Sequence, residues 1–259
     1  MQLLKKIIII ILLGTIIPIN PTIENSVCYP LELGDKLTYS IDGKWEGKNN
    51  LIDFGKNTGT QSFIVIDKNS SHITIFETKF EEINGLINAT PFNPIINVYS
   101  FWIYDIKTRM ATIGSTYSFL WISSCEKRIM LNTNINIMSE TFQIVNSSQF
   151  LWMNQKRDVW IAQYNKVRNS SGLLFNEAYY TNIFEFHYDK QSGIMLFYSL
   201  AYNSYDENDN LLEWSYYSLS LLNMTIDLSK YTNKNEFNPY FFAVLFGTIF
   251  PIFYMKKWN

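Results

Sequence analysis

From residue 37 to residue 225 apolar and polar positions alternate in short runs separated by turn-forming residues, the period-two pattern of strands. Gln61-Ser62-Phe63-Ile64-Val65-Ile66 passes through Asp67-Lys68-Asn69-Ser70 into His72-Ile73-Thr74-Ile75-Phe76-Glu77-Thr78-Lys79-Phe80, which predicts a hairpin. Further strands are predicted over 37–41, 95–106, 128–145 in one or two pieces, 158–167, 179–189, 193–205 and 211–225. Within 158–167, Val159, Ile161 and Gln163 face one way and Trp160, Ala162 and Tyr164 the other. Helical periodicity is weak: a turn within 99–110 and a short helix over 147–154 capped by Ser148 are the candidates. Long strands joined by tight turns predict a mainly β fold, a curved antiparallel sheet of half-barrel or sandwich-like form with at most one or two short helices.

The clearest local element runs from Phe184 to Tyr198. Asp189 can accept from turn amides, Lys190 and Gln191 suit the centre of a type I turn, and Gly193 supplies the positive φ that closes a hairpin. Before the turn, Phe184, Phe186 and Tyr188 share one face and Glu185, His187 and Asp189 the other.

Two apolar segments flanked by lysines bracket this region. Lys5-Lys6 precede the run 7–17, which is followed by Pro18 and Pro21, the layout of a secretory signal; with no clear small-x-small cleavage site, residues 1–27 read as a signal peptide or an uncleaved signal anchor. Cys28 invites a lipoprotein reading, but Asn25-Ser26-Val27 lacks the residues that precede a lipidated cysteine. Residues 237–255 carry no charge, and at 1.5 Å per residue they cover about 28 Å, the thickness of a bilayer core. They are apolar on every side, unlike a surface helix, which predicts a transmembrane segment over a buried C-terminal helix; a sorting tail removed after export is the third reading. Lys256-Lys257 follow, so the positive-inside rule leaves 256–259 as a short cytoplasmic tail and places 28–236 outside a cell membrane crossed once.

The hairpin Tyr188-Asp189-Lys190-Gln191-Ser192-Gly193-Ile194-Met195-Leu196, the early Leu33-Gly34-Asp35 followed by Leu37-Thr38-Tyr39, and the basic-ended tail together resemble uncharacterised archaeal membrane-anchored surface proteins. Some of these, like periplasmic lipoprotein carriers of the LolA and LppX type, fold as a curved antiparallel half-barrel. The resemblance implies that fold and carries over no functional residue.

Composition narrows the function classes. Aromatic residues make up 17% of the 259 and charged residues 17%, with a formal net charge of -2, so no basic nucleic-acid surface and no polyacidic tail exist. Glycosylation sequons stand at Asn69, Asn88, Asn146, Asn169 and Asn223; Asn69, Asn146 and Asn169 read as Asn-Ser-Ser turns between apolar runs, where acceptors would be exposed. In an exported domain Cys28 and Cys125 could form a disulfide, worth up to about 4–5 kcal/mol by chain entropy. The alternative is two unpaired thiols.

Glu185, His187 and Asp189 could bind a metal or relay a proton, but alternate positions opposite an aromatic face are where a strand places solvated residues. Asp206-Glu207-Asn208-Asp209-Asn210 carries calcium-type ligands without the glycine and closing glutamate of a helical calcium loop, so a solvated hairpin turn is expected. Trp102, Trp121, Trp152, Trp160 and Trp214 could line a concave pocket or fill the core. Neither a metal nor a cofactor is implied, and no catalytic residue is assigned. The expectation is a membrane-anchored, non-catalytic binding module for a lipid, glycan or protein partner; a structural envelope protein and, below it, a hydrolase are the alternatives.

Overall fold

In the computed structural model, which describes residues 30–47, 54–87, 90–114, 116–122, 129–169 and 178–226, alternation along the chain becomes one curved antiparallel sheet that does not close into a barrel. Its strands are β1 (Lys36–Gly47), β2 (Phe54–Lys68), β3 (His72–Ile87), β4 (Thr90–Phe92), β5 (Ile95–Asp105), β6 (Asn134–Ile137), β7 (Glu140–Trp152), β8 (Gln155–Asn169), β9 (Tyr179–Asp189), β10 (Met195–Tyr205) and β11 (Leu211–Met224). No helix occurs among the described residues. The signal segment 1–27, the apolar segment 237–255, Cys28, Cys125 and Asn88 lie outside them; within them no helix is long and apolar enough to cross a membrane.

The order β4-β3-β2-β1-β11-β10-β9-β8-β7-β6, with β5 also on β3, has the first and last strands at its centre. Two meanders run outward from that seam. Along it Tyr39 pairs with Leu221, Ile41 with Leu219 and Gly43 with Tyr217. β4 and β5 lie end to end along β3 and form one edge; the four-residue β6 forms the other.

Between those edges the chain returns through residues 106–114 and 116–122, which fill one end of the concave face. Ile106, Leu120, Trp121 and Ile122 are buried there against the core of Tyr39, Ile41, Phe63, Val65, Ile73, Ile75, Phe186, Tyr188 and Leu219. Edge-to-face contacts of Tyr104 with Trp121 and of Phe63 with Phe119 join strap and sheet. Backbone bonds hold it as well: Met195 N donates to Leu120 O at 2.9 Å and Ile122 N to Gly193 O at 3.0 Å. Arg109, buried at positive φ, staples the strap, its guanidinium donating to the carbonyls of Trp121 (2.8 Å), Asn136 (3.0 Å) and Ser118 (3.3 Å). Burial lowers its pKa, and the carbonyl oxygens supply the polar partners its charge requires.

Two local expectations are overturned. Residues 99–105 belong to β5 and are followed by a turn, and 147–152 belong to β7, so neither candidate helix forms. Met153 and Asn154, with φ of 45° and 63°, make a two-residue hairpin turn between β7 and β8. Asn146 is accordingly not in a turn but at a register shift within β7. Beyond that shift the β7–β8 hairpin folds over the outer face of the sheet. Phe150 packs edge-on to His187 of β9 at 5.7 Å and lies 6.1 Å from Phe197 of β10, and Trp152 Nε1 donates to Leu221 O of β11 at 2.7 Å.

Candidate functional site

Along β3 the inner face changes chemistry halfway. Ile73 and Ile75 join the core, but Glu77, Lys79 and Glu81 continue the same face while Phe76 and Phe80 point outward. Glu81 is 4% exposed and Phe80 44%, the reverse of the ordinary preference.

The inner polar groups are bonded to one another. The Glu77 carboxylate accepts from Gln61 Nε2 and Ser100 Oγ, both at 2.5 Å, and from Trp102 Nε1 at 2.6 Å. Asn57 Nδ2 donates to Glu81, whose other oxygen meets Lys79 Nζ at 2.5 Å. Lys79 Nζ also stands 5.4 Å from the ring centroid of Tyr217 on β11, and β2 and β1 lie between their strands in the sheet; this contact measures how tightly the sheet curls. Burial, then the charges of Glu81 and nearby groups, raise the Tyr217 hydroxyl pKa.

The opposite wall of the hollow repeats the theme. Glu140 accepts from Lys166 Nζ at 2.5 Å and from Tyr164 OH at 3.1 Å, with Arg168 Nη2 3.9 Å away. The Lys166 hydrogen bond lowers the Glu140 pKa and raises that of Lys166. Beneath them Phe142, Tyr164 and Phe184 pack ring to ring. Register places Leu200, Tyr202, Asn182 and Ser215 on the floor between the walls. Towards the far end the indole of Trp45 lies flat over Gly55, where a Cβ would come within 1.8 Å of its Cζ2, so glycine is required for that aromatic surface.

The hollow is thus apolar and filled at one end, and polar with aromatic planes at the other. Each of its carboxylates is held in a fixed orientation by two or three internal donors and keeps acceptor capacity towards the hollow. Among the described residues no three His, Cys, Asp or Glu side chains converge as metal ligands.

The residues singled out from the sequence are dispersed. Glu185, His187 and Asp189 do share a face, but the β7–β8 hairpin covers it, so the solvated strand face expected there is corrected. Asp189 is 1% exposed and pairs with Arg157, while His187 Nε2 lies 2.5 Å from Glu185 Oε1 and Glu185 Oε2 accepts from Gln163 Nε2 at 2.5 Å. His187 Nδ1 is buried and has no hydrogen-bond partner among the described residues. The 206–210 turn is a hairpin connection in which Asp206 accepts from the amides of Asn208 and Asn210 and from the Asn210 side chain. The tryptophans line no common pocket: Trp121 is core, Trp152 crosses the outer face, Trp214 bonds Glu46, Trp160 stacks under Lys190, and Trp102 joins the inner network. Asn69, Asn146, Asn169 and Asn223 are all exposed.

Sequence reasoning missed Glu77, Lys79, Glu81, Asn57 and Gln61. Their signal was the two-residue spacing of Glu77, Lys79 and Glu81 in phase with Ile73 and Ile75, which puts charge on the core face of its own strand.

No family model matches this chain, and no curated protein resembles it in sequence. A solved structure of a DUF1329 family protein from Desulfovibrio piger matches over 79% of this chain and 92% of its own, at 9% identity and a TM-score of 0.21, a likeness too loose to carry an argument. The resemblance to archaeal surface proteins and lipoprotein carriers draws no support from these comparisons.

Proposed function

We propose that this chain is a non-catalytic binding module held on the outer side of a cell membrane by its C-terminal apolar segment, and that its ligand surface is the polar, aromatic half of the concave face. The observation that carries the reading is the inversion along β3, where Glu77, Lys79 and Glu81 turn inward beside Trp102 and Tyr217. Charged groups are seldom placed inside without a role, and here they are held by neighbours at the mouth of a hollow. Fixed donors and acceptors beside aromatic planes suit a glycan: hydroxyls take the hydrogen bonds and the apolar ring face stacks on Trp or Tyr. A lipid carrier of the half-barrel kind needs an apolar hollow, and Ile106, Leu120, Trp121 and Ile122 already occupy the apolar end of this one.

Glycan-array binding by the full chain in detergent tests this. Binding that falls at least tenfold in both Trp102→Ala and Tyr217→Ala supports the reading; no binding, together with a stoichiometric lipid found by extraction and mass spectrometry, replaces it with the carrier. A second reading, association with neighbouring molecules, is favoured by the exposed aromatic residues on the outer face of β3 and β5.

A further inference from the structure

We propose that β5 is a self-association edge, through which two copies of this chain pair antiparallel about a two-fold axis and continue the sheet from one molecule into the other. Among the described residues no strand pairs with β5 on the side away from β3. Exposed edges of this kind are normally guarded by charge, proline, bulges or brevity. The two ends of this edge are guarded: Pro91 and Pro94 interrupt β4 and the link into β5, and Ile103 O is taken by Thr112 N at 2.8 Å. The stretch between them, Ile95-Ile96-Asn97-Val98-Tyr99-Ser100-Phe101-Trp102, carries no charge and no proline. β6, the opposite edge, is four residues long and turns Ile135 and Ile137 inward.

The side chains of the unguarded stretch are exposed on both sides of the strand. Tyr99 is 69% exposed and Phe101 67%, with Ile95, Ile96 and Val98 exposed beside them. Phe76 stacks on Tyr99 and lies 4.8 Å from Phe101, so the outer rings form a platform that ends at the open edge. With aromatic side chains worth about 150–250 Å² each, these residues and the exposed Phe80 and Phe92 offer on the order of 500 Å² per chain. Two such edges present about 1,000 Å² of apolar surface, the scale at which a specific interface forms.

The chemistry of the edge points to a second copy. Two-fold antiparallel pairing sets the stretch against itself, and an uncharged strand meets its own image without like-charge repulsion. It adds main-chain hydrogen bonds on one side of the strand while the apolar side chains of both faces find their equivalents across the axis.

The test uses the full chain in its membrane. Positions 96–100 are replaced singly by Cys and oxidised, because residues opposite each other in an antiparallel pair stand about 4.5–5.5 Å apart at Cα, within disulfide reach. One or two adjacent positions at the axis are expected to give a dimer band well above the unsubstituted chain, while Leu222→Cys on the central strand β11 does not. Val98→Lys with Phe101→Lys is expected to convert the dimer to monomer in light scattering while the far-UV strand signature persists. A monomeric unsubstituted chain, uniform cross-linking along 96–100, a dimer that survives both lysines, or a monomer that needs Phe101 to adhere to lipid vesicles would each overturn the proposal.

Discussion

Arg157 and Asp189 form a buried two-pronged pair, Nε to Oδ1 and Nη2 to Oδ2, both at 2.9 Å, that ties β8 to the turn after β9. The same Asp189 carboxylate accepts from Ser192 N at 2.8 Å and Ser192 Oγ at 2.7 Å, so one side chain shapes the turn and anchors the β7–β8 hairpin. Asp189→Asn strands a buried guanidinium and is expected to cost about 3–5 kcal/mol, read as a lower denaturant midpoint with unchanged slope. Asp206→Asn, in an exposed turn, is expected to cost about 1 kcal/mol or less.

Alkaline pH should unfold the domain only after the exposed tyrosines have ionised. Burial raises the hydroxyl pKa of Tyr39, Tyr104, Tyr188, Tyr198 and Tyr217, that of Tyr198 to about 12. Tyrosines in the unfolded chain ionise near pH 10, so above that pH the unfolded state loses protons that the native state retains. Stability is therefore whole below pH 10 and falls as pH rises through the native values. Absorbance at 295 nm should show exposed tyrosines titrating near pH 10 and a later cooperative step coincident with loss of circular dichroism; one smooth titration of all tyrosines before unfolding would contradict this.

The hairpin over the outer face shields His187. Phe150→Ala removes the ring at 5.7 Å from the imidazole, and diethyl pyrocarbonate should then modify His187 several times faster while His72, at the start of β3, keeps its rate. Trp152→Phe, which loses the bond to Leu221 O, is expected to weaken the same cover by about 1 kcal/mol, seen as faster amide exchange in the β7–β8 hairpin.

Sequon placement predicts an order of glycan occupancy. Asn69 sits in the β2–β3 turn and Asn169 at the last residue of β8, whereas Asn146 and Asn223 lie within paired strands. Glycopeptide mass spectrometry of the chain from its native host should find Asn69 and Asn169 occupied ahead of Asn146 and Asn223; the reverse order would refute the placement argument.

The strands were legible because alternation and turn chemistry are local. The 184–198 hairpin is the clearest case: its Asp189 and Gly193 perform the turn roles their types suggest, with Gly193 at φ 74°. Met153-Asn154 was not legible as a turn, since methionine seldom adopts positive φ and the Ser-rich stretch before it imitates a helix cap. The candidate site was less legible still. Period-two spacing assigns Glu77, Lys79 and Glu81 to the face of Ile73 and Ile75, but a charged run of that kind ordinarily marks solvent, and Phe76 and Phe80 look like core.

A mainly β chain, the 67–70 and 189–193 turns, and which residues share a face were all legible in the sequence, because each depends on contacts a few residues apart. Tertiary structure alone decided which face is inside. That outcome rests on the β1–β11 seam, which joins residues nearly at opposite ends of the described chain, on the strap around Leu120 and Trp121 that fills one end of the hollow, and on the β7–β8 hairpin that covers His187. A pattern of period two is the same read from either side; only packing partners distant in sequence break the tie.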